Sequence, residues 1–231
     1  MIATIQAPAQ PHYLLLHDIS WHGYKTMLQE LEGRHFRLTY DQGVLEIMTT
    51  SYEHESYGEL LSHLLRILTL ELAISMCSGG SMTFKKEALE KGLEPDKCWW
   101  TKNERKMRGK KKFDIDRDPP PDLAIEIEIT RSAVDRMGIY AALKVAEVWR
   151  FDGDALRVCQ LGANGKYREK RQSSVFPFLP MEKIVFFLKR SENVDETSLL
   201  REFVQWVRDE VAPVRTKSVA KKTEKNGKHP E

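Results

Sequence analysis

Cysteine is scarce in this chain of 231 residues, and the three that occur are widely spaced, at Cys77, Cys98 and Cys159. An odd, scattered set argues against a disulfide framework and against a zinc site built on cysteine pairs. The sequence also lacks an early apolar segment typical of a secretory leader and any run of about 18 apolar residues. We therefore expect a cytoplasmic protein with no membrane partner, and cysteines that pack in its core.

The sequence also lacks an excess of charge of one sign, because it has 36 Lys and Arg residues and 34 Asp and Glu residues, which gives a formal net charge of +2. Any affinity for nucleic acid must therefore come from local patches rather than from the surface as a whole. What is present is 41% hydrophobic residues in a chain long enough for one domain with a proper core. The sequence has no internal repeat.

Hydrophobic periodicity predicts a mixed α/β fold in which helices flank one central mixed sheet. Alternating residues over 36–40 and 44–48 flank Asp41-Gln42-Gly43, which predicts an N-terminal hairpin. The remaining predicted elements are a buried helix over 55–74 ended by Gly79-Gly80, strands over 82–84, 93–100 and 122–129, a helix over 132–143 capped by Ser132, and a hairpin over 147–151 and 156–161.

The ends of the chain differ from its middle. Residues 1–12 contain two prolines and little periodicity, which predicts a flexible arm before a domain over 13–190. A C-terminal helix is predicted over 191–212, and the basic segment 213–231 is expected to be a disordered tail. The apolar stripe of that helix also favours a homodimer, so a structural protein that dimerises through it is one alternative function.

Three acids share the strand predicted over 122–129, namely Asp122, Glu126 and Glu128. Side chains alternate between the two faces of a strand, so all three point to one side. Residues two apart on a strand are roughly 6–7 Å apart, and their mutual repulsion in a partly buried place needs a cation or a proton to offset it. A bound metal explains the arrangement, and a polar face that meets water is the alternative.

Two further acids accompany this strand, Glu46 in the first hairpin and Asp96 in the strand over 93–100. If the last two strands are neighbours, Asp96 and Glu126 face each other with roughly 5 Å between their Cβ atoms. Carboxylate oxygens gathered in this way suit Mg²⁺ or Mn²⁺. We expect no small-molecule cofactor. A turn aspartate at Asp96 and an exposed hairpin acid at Glu46 remain the alternatives.

Five sequence blocks, in order and spacing, resemble the PD-(D/E)XK nuclease superfamily and, more narrowly, the Uma family of putative restriction endonucleases. They lie between about Asp41 and Asp152 and read DQGVLEIM (41–48), SYEHE (51–55), GLEPD (92–96), PPDLAIEIEIT (120–130) and IYAALKVAEVWR (139–150). The resemblance implies a restriction-endonuclease-like core and metal-dependent hydrolysis of the phosphodiester bonds of DNA.

The resemblance also implies roles for particular residues. Asp96 and Glu126 fall on the acidic motif positions that hold the metal, and Glu46 or Glu55 is expected to complete the metal shell. The superfamily lysine should stand two residues after Glu126, where this chain has Glu128. The basic residue of the Uma group stands instead four residues before a tyrosine, which is Arg136 here. An arginine stabilises phosphate charge but stays protonated and is a poor base.

A basic segment between the two acidic strands predicts contacts with DNA phosphates. It has one acid, Glu104, against seven basic residues: Lys102, Arg105, Lys106, Arg108, Lys110, Lys111 and Lys112. A loop at this place in the chain is expected to overhang the metal site, and a solvated loop is the alternative. Because Glu128 replaces the lysine, a DNA-binding protein of the same fold that has lost catalysis is the main alternative to an endonuclease.

Overall fold

The computed structural model describes residues 13–129 and 132–216, and it has a mixed α/β fold, as predicted. The helices are α1 (Trp21–Glu30), α2 (Tyr52–Glu71), α3 (Glu104–Met107), α4 (Arg136–Ala142), α5 (Met181–Arg190) and α6 (Glu196–Trp206), with a 3₁₀ turn at Glu87–Leu89. The strands are β1 (Tyr13–Leu16), β2 (Arg37–Asp41), β3 (Val44–Met48), β4 (Cys77–Gly80), β5 (Phe84–Lys86), β6 (Lys91–Leu93), β7 (Lys97–Trp100), β8 (Leu123–Ile127), β9 (Glu147–Phe151), β10 (Leu156–Leu161) and β11 (Tyr167–Lys170). The arm predicted over 1–12 and the tail from 217 onward lie outside the described residues.

The strands form two sheets rather than one, and the predicted central mixed sheet flanked by helices is the six-stranded sheet. The first sheet is antiparallel, with the order β1-β3-β2-β6-β5, and contains the predicted hairpin β2–β3. The second is mixed, with the order β11-β10-β9-β8-β7-β4, and its parallel pair is β8–β9. The chain enters the second sheet at β4, returns to the first for β5 and β6, and crosses again before β7 at Pro95, which has no N–H to donate to a ladder.

The six-stranded sheet buries both of its faces. Odd-numbered residues of β8 pack in an apolar cluster with α2, α5 and α6. Ala124 lies on the other face, in a second cluster with Ile139 and Tyr140 of α4. The alternation of side chains therefore puts Glu126 on the face that α4 covers. Helix α4 in turn contacts β6 of the first sheet, which brings both sheets to the same place.

Two predicted boundaries are wrong for identifiable reasons. Gly79-Gly80 does not end a segment but lies in β4, where a Cβ on Gly79 would come within 2.6 Å of Cys98 Sγ. Glycine is needed there for close packing. Helix α4 begins at Arg136 rather than Ser132, and its N-cap is Asp135, which accepts the N–H of Gly138 at 3.0 Å.

The C-terminal region also departs from the prediction. Asp195 caps α6, the turn before it separates α6 from α5, and helical structure continues to residue 216. Leu199, Phe203 and Val207 of the predicted stripe are fully buried in the core of the chain itself. Because these side chains are used within the chain, the stripe offers no basis for a homodimer. No helix within 13–129 or 132–216 is long and apolar enough to cross a membrane.

Candidate active site

Asp96 lies just before β7 and is held by groups from three elements. Its Oδ2 accepts the backbone N–H of Ile127 at 2.6 Å, and its Oδ1 pairs with Nε2 of His54 at 2.9 Å. Nη1 of Arg37, at the start of β2, lies 3.4 Å from the same Oδ1. His54 reaches Asp96 because Ser51 caps α2 and places His54 in the first helical turn. Asp96 is therefore a buried acid whose two oxygens both have partners, rather than an exposed turn residue.

Glu126 is the second acid, and α4 supplies its partners. Nε and Nη2 of Arg136 donate to its two oxygens at 2.8 Å each, and the hydroxyl of Tyr140 donates to Oε1. Arg136 also donates to the hydroxyl oxygen of Thr39 and, at 2.8 Å, to the carbonyl of Glu94. Arg136 and Tyr140 lie four residues apart on α4, so they share one face of that helix. Arg136 thus joins Glu126 to the five-stranded sheet.

Both acids line one small cavity of about 20 Å³, and this is the geometry on which the predicted metal site depends. Asp96 stands opposite Glu126 because the antiparallel register of β7 and β8 continues past Lys97, which pairs with Ile125. A cavity of this volume holds about one water-sized group. Its walls include Arg37, His54, Asp96, Glu126, Glu128, Ser132 and Arg136.

The two acids respond differently to their surroundings. Burial would raise the pKa of Asp96, but the hydrogen bond to His54 and the charges of Arg37 and Arg136 hold it below its ordinary value. Burial raises the pKa of Glu126, and Arg136 only partly offsets the rise. Burial and the Glu126 charge raise the pKa of Tyr140 well above its ordinary value, so Tyr140 stays protonated and donates to Glu126.

Comparison with known proteins identifies the group to which this arrangement belongs. The family Uma2, described as "Putative restriction endonuclease", matches residues 22–185. The chain belongs to the Uma2 family. No curated protein matches it. The matched range begins in α1 and ends in α5, so it contains both acids, the six-stranded sheet and all of the five-stranded sheet except β1.

The remaining predicted acids of this Uma2 protein serve other purposes. Both oxygens of Glu46 accept hydrogen bonds, from the hydroxyl of Ser132 at 2.7 Å and the N–H of Ala133 at 2.6 Å. Glu46 therefore holds the segment at Ser132 and Ala133 in place. Ser132 lines the cavity, whereas Glu46 does not. Glu55 pairs with Arg37 at 3.3 Å and is not part of the cavity wall. The structure brings neither acid to the predicted metal position.

Asp122 shares the face of Glu126 but acts at the other end of β8. It accepts the N–H groups of Thr101 at 2.8 Å and Asn103 at 3.1 Å, so it fixes the backbone at the start of the basic segment over 102–112. Glu128 does line the cavity, and its carboxylate accepts Nε of Arg150 at 2.7 Å. At the position of the motif lysine, the Uma2 chain thus has an acid whose charge is matched by an arginine from β9.

The basic loop over 102–112 starts at the end of β7 that is farther from Asp96. Five residue-to-residue steps of about 3.3 Å, roughly 16 Å in all, separate Asp96 from Thr101. No residue of the loop lines the cavity between the acids, so the expected overhang is wrong. All seven basic side chains are exposed. Arg108 is bound to Glu104 and Lys110 to Asp118, whereas five form no salt bridge in the described part of the chain: Lys102, Arg105, Lys106, Lys111 and Lys112.

Sequence reasoning missed three residues of the site. They are His54, Arg37 and Tyr140, to which the sequence alone assigns no role at the metal site. His54 and Arg37 are 42 and 59 positions from Asp96, so their contacts depend on the packing of α2 and β2. A usable sequence signal existed for Tyr140, because it lies on the same helical face as Arg136.

Proposed function

We propose that this Uma2 protein is a DNA endonuclease that uses a divalent metal ion, with Asp96 and Glu126 as its metal ligands. The observation that carries the proposal is that these two acids, from different segments, line one cavity in a chain whose family is described as a restriction endonuclease. Burying two carboxylates side by side costs free energy even where cations accompany them, so the arrangement points to a function.

The donor set fits a hard divalent cation. Asp96 Oδ2 and Glu126 Oε2 each accept one hydrogen bond from the described residues, and a carboxylate oxygen has a second lone pair to offer. Within 13–129 and 132–216, no group of three or more His, Cys, Asp or Glu side chains is placed to hold a metal. Waters and phosphate oxygens of the substrate would complete the shell, as Mg²⁺ and Mn²⁺ usually require. Such an ion lowers the pKa of a bound water and neutralises phosphate charge.

The residues of the chain itself prepare the site. Arg136 makes four N–H contacts, to Glu126, Thr39 and Glu94, and so holds Glu126 in place. Its pKa lies above the ordinary value, so Arg136 stays protonated and cannot act as a base. His54 and Arg37 keep Asp96 ionised. Glu128 places an acid beside Asp96 and Glu126, at the position where the motif lysine would carry a proton. We propose that Arg136 replaces the charge of that lysine but not its chemistry, and we expect slow hydrolysis.

Nicking of supercoiled plasmid with Mg²⁺ or Mn²⁺ tests this function. We expect the wild-type chain to nick and Asp96→Asn to lose at least tenfold in rate, because asparagine keeps the shape of Asp96 and one acceptor oxygen but not its charge. Glu169→Gln is the matched control, since Glu169 is an exposed acid of β11. Equal rates in the wild type and Asp96→Asn would remove Asp96 from the mechanism, and nicking that persists in EDTA would remove the metal.

A second function has its own support. Because every oxygen of Asp96 and Glu126 already accepts a hydrogen bond and Glu128 replaces the lysine, a DNA-binding protein that has lost catalysis also fits the site. The five exposed cations of the basic loop that form no salt bridge would then supply the binding. Salt-dependent DNA binding, without divalent-ion binding by calorimetry, would favour this alternative.

A further inference from the structure

An open pocket of about 280 Å³ lies beside the cavity of the two acids. The two spaces share three wall residues: Glu128, Ser132 and Arg136. The pocket is therefore an open space from which a substrate could approach the acids. Two more arginines, Arg150 and Arg157, form part of its wall.

These two arginines occupy an unusual position in the sheet. Arg150 of β9 and Arg157 of β10 are direct partners in the antiparallel register, so like charges stand opposite each other. Such a pair destabilises a sheet unless an anion lies between or beside the charges. Their side chains are 32% and 39% exposed, so solvent and ligands can reach them.

The carboxylates that face the pair leave most of its donors available. Nε of Arg150 donates to Glu128 at 2.7 Å, and Nη1 of Arg157 lies 2.7 Å from Asp152 Oδ2. Each guanidinium has five N–H donors, so these ion pairs hold the side chains extended and leave further donors available for a ligand. The third acid of the pocket, Asp135, is committed to the N-terminus of α4. The pocket thus presents arginine forks of the kind that bind phosphate in a bidentate manner.

We infer that Arg150 and Arg157 bind a phosphate of the DNA backbone next to the phosphate that is hydrolysed, and so position the strand over Asp96 and Glu126. The inference rests on the proposed function for the identity of the substrate, but the binding itself needs no catalysis. The face of the sheet supports it, because Arg150, Arg157 and Glu126 all lie on the side that α4 covers, and Glu126 is the parallel register partner of Arg150.

Binding of a fluorescent 20-base-pair DNA duplex in EDTA, measured from about 50 to 300 mM salt, tests the inference. The slope of log K against log salt is negative, and the loss of one phosphate contact should make it shallower by about 0.9. At 0.1 M salt this corresponds to a roughly eightfold loss of affinity. We expect this change in Arg157→Gln. Arg168→Gln is the control, because Arg168 is exposed and pairs with Gln160, on the opposite face of the sheet from Arg157.

A second variant separates binding from a purely structural role of Arg157. Asp152 accepts the N–H of Ala155 at 2.8 Å, and its hydrogen bonds help lower its pKa to about 2, so it is ionised at neutral pH. Asp152→Asn keeps the acceptor for the turn but removes the charge that competes with phosphate. If Arg157 binds phosphate, this variant should bind DNA two- to threefold more tightly; if Arg157 serves only the turn, affinity should not rise.

The outcomes are distinct from those of the nicking experiment. An unchanged slope in Arg157→Gln, an equal change in Arg168→Gln, weaker or unchanged binding by Asp152→Asn, or no DNA binding at 50 mM salt would each overturn the inference. A chain that nicks DNA and shows any of these results keeps its proposed function without this subsite. A chain that gives the expected slopes but never nicks keeps the subsite as a binding site alone.

Discussion

Arg136 donates to both carboxylate oxygens of Glu126, from Nε to Oε2 and from Nη2 to Oε1, at 2.8 Å in each case. The two side chains are only 10% and 7% exposed. Burial alone would lower the pKa of Arg136, but the Glu126 carboxylate raises it above its ordinary value, so the arginine stays charged. The pair is therefore an ion pair in the interior, and each partner depends on the other for compensation of its charge.

The first prediction concerns the loss of one partner of this pair. Arg136→Met should lower the free energy of unfolding by about 3–5 kcal/mol, because it leaves Glu126 buried without a matching charge. Arg150→Met is the control, since the Arg150–Glu128 pair is partly exposed and should contribute about 1 kcal/mol or less. Urea denaturation measures both variants, and equal losses would contradict the buried character of the Glu126 pair.

The second prediction concerns the two histidines of α2. His54→Ala should lower the free energy of unfolding by about 1–3 kcal/mol, because buried Asp96 loses a hydrogen-bond partner. His63→Ala offers a matched comparison: its Nδ1 lies at the same 2.9 Å from Glu196, but both side chains are exposed. We expect a change of about 0–1 kcal/mol there. A larger loss for His63→Ala would show that the contact of His54 has been misjudged.

The third prediction concerns the pH dependence of stability. The pKa of Asp96 is lower in the folded chain than in the unfolded one, so between the two values the unfolded chain binds more protons. The stabilisation is thus fully present above the unfolded pKa, near pH 4, and is lost as pH falls through the folded pKa. Asp96→Asn cannot show this loss, so the difference in stability between the wild type and Asp96→Asn should shrink from pH 6 towards pH 3. A difference that stays constant over this range would contradict the lowered pKa.

The fourth prediction concerns two glycines in different surroundings. Gly79→Ala should destabilise the chain by about 1–3 kcal/mol, because the new methyl group would lie 2.6 Å from Cys98 Sγ and 2.7 Å from the Trp100 ring. Gly58→Ala in α2 meets its nearest atom at 3.8 Å, and alanine favours the helix, so it should stabilise by up to about 1 kcal/mol. Thermal unfolding of the two variants should therefore shift in opposite directions, and shifts of the same sign would contradict the packing at β4.

Much of the candidate site follows from local pattern in the sequence. The period of two in β8 correctly placed Glu126 and Glu128 on one side, and the antiparallel pairing of the next strand put Asp96 opposite Glu126. Pairing distances in a sheet depend only on register, so such inferences need no knowledge of the rest of the fold.

What failed depends on contacts between distant segments. The division of the strands between two sheets, and the arrival of His54 and Arg37 at Asp96, come from packing that periodicity does not contain. Glu46 has the right chemistry for a metal, but the loop at Ser132 uses both of its oxygens. The position of the basic loop could have been foreseen, because Asp96 precedes β7 and the loop follows it.

The measurement that tests the central claim most directly is a titration of the chain with Mn²⁺ in which electron paramagnetic resonance measures the concentration of the free ion. If Asp96 and Glu126 form one metal site, the wild type and Glu169→Gln should each bind one ion per chain, and Asp96→Asn should bind at least tenfold more weakly. Wild-type binding retained in Asp96→Asn, or DNA nicking by a chain that binds no Mn²⁺ and no Mg²⁺, would contradict the account.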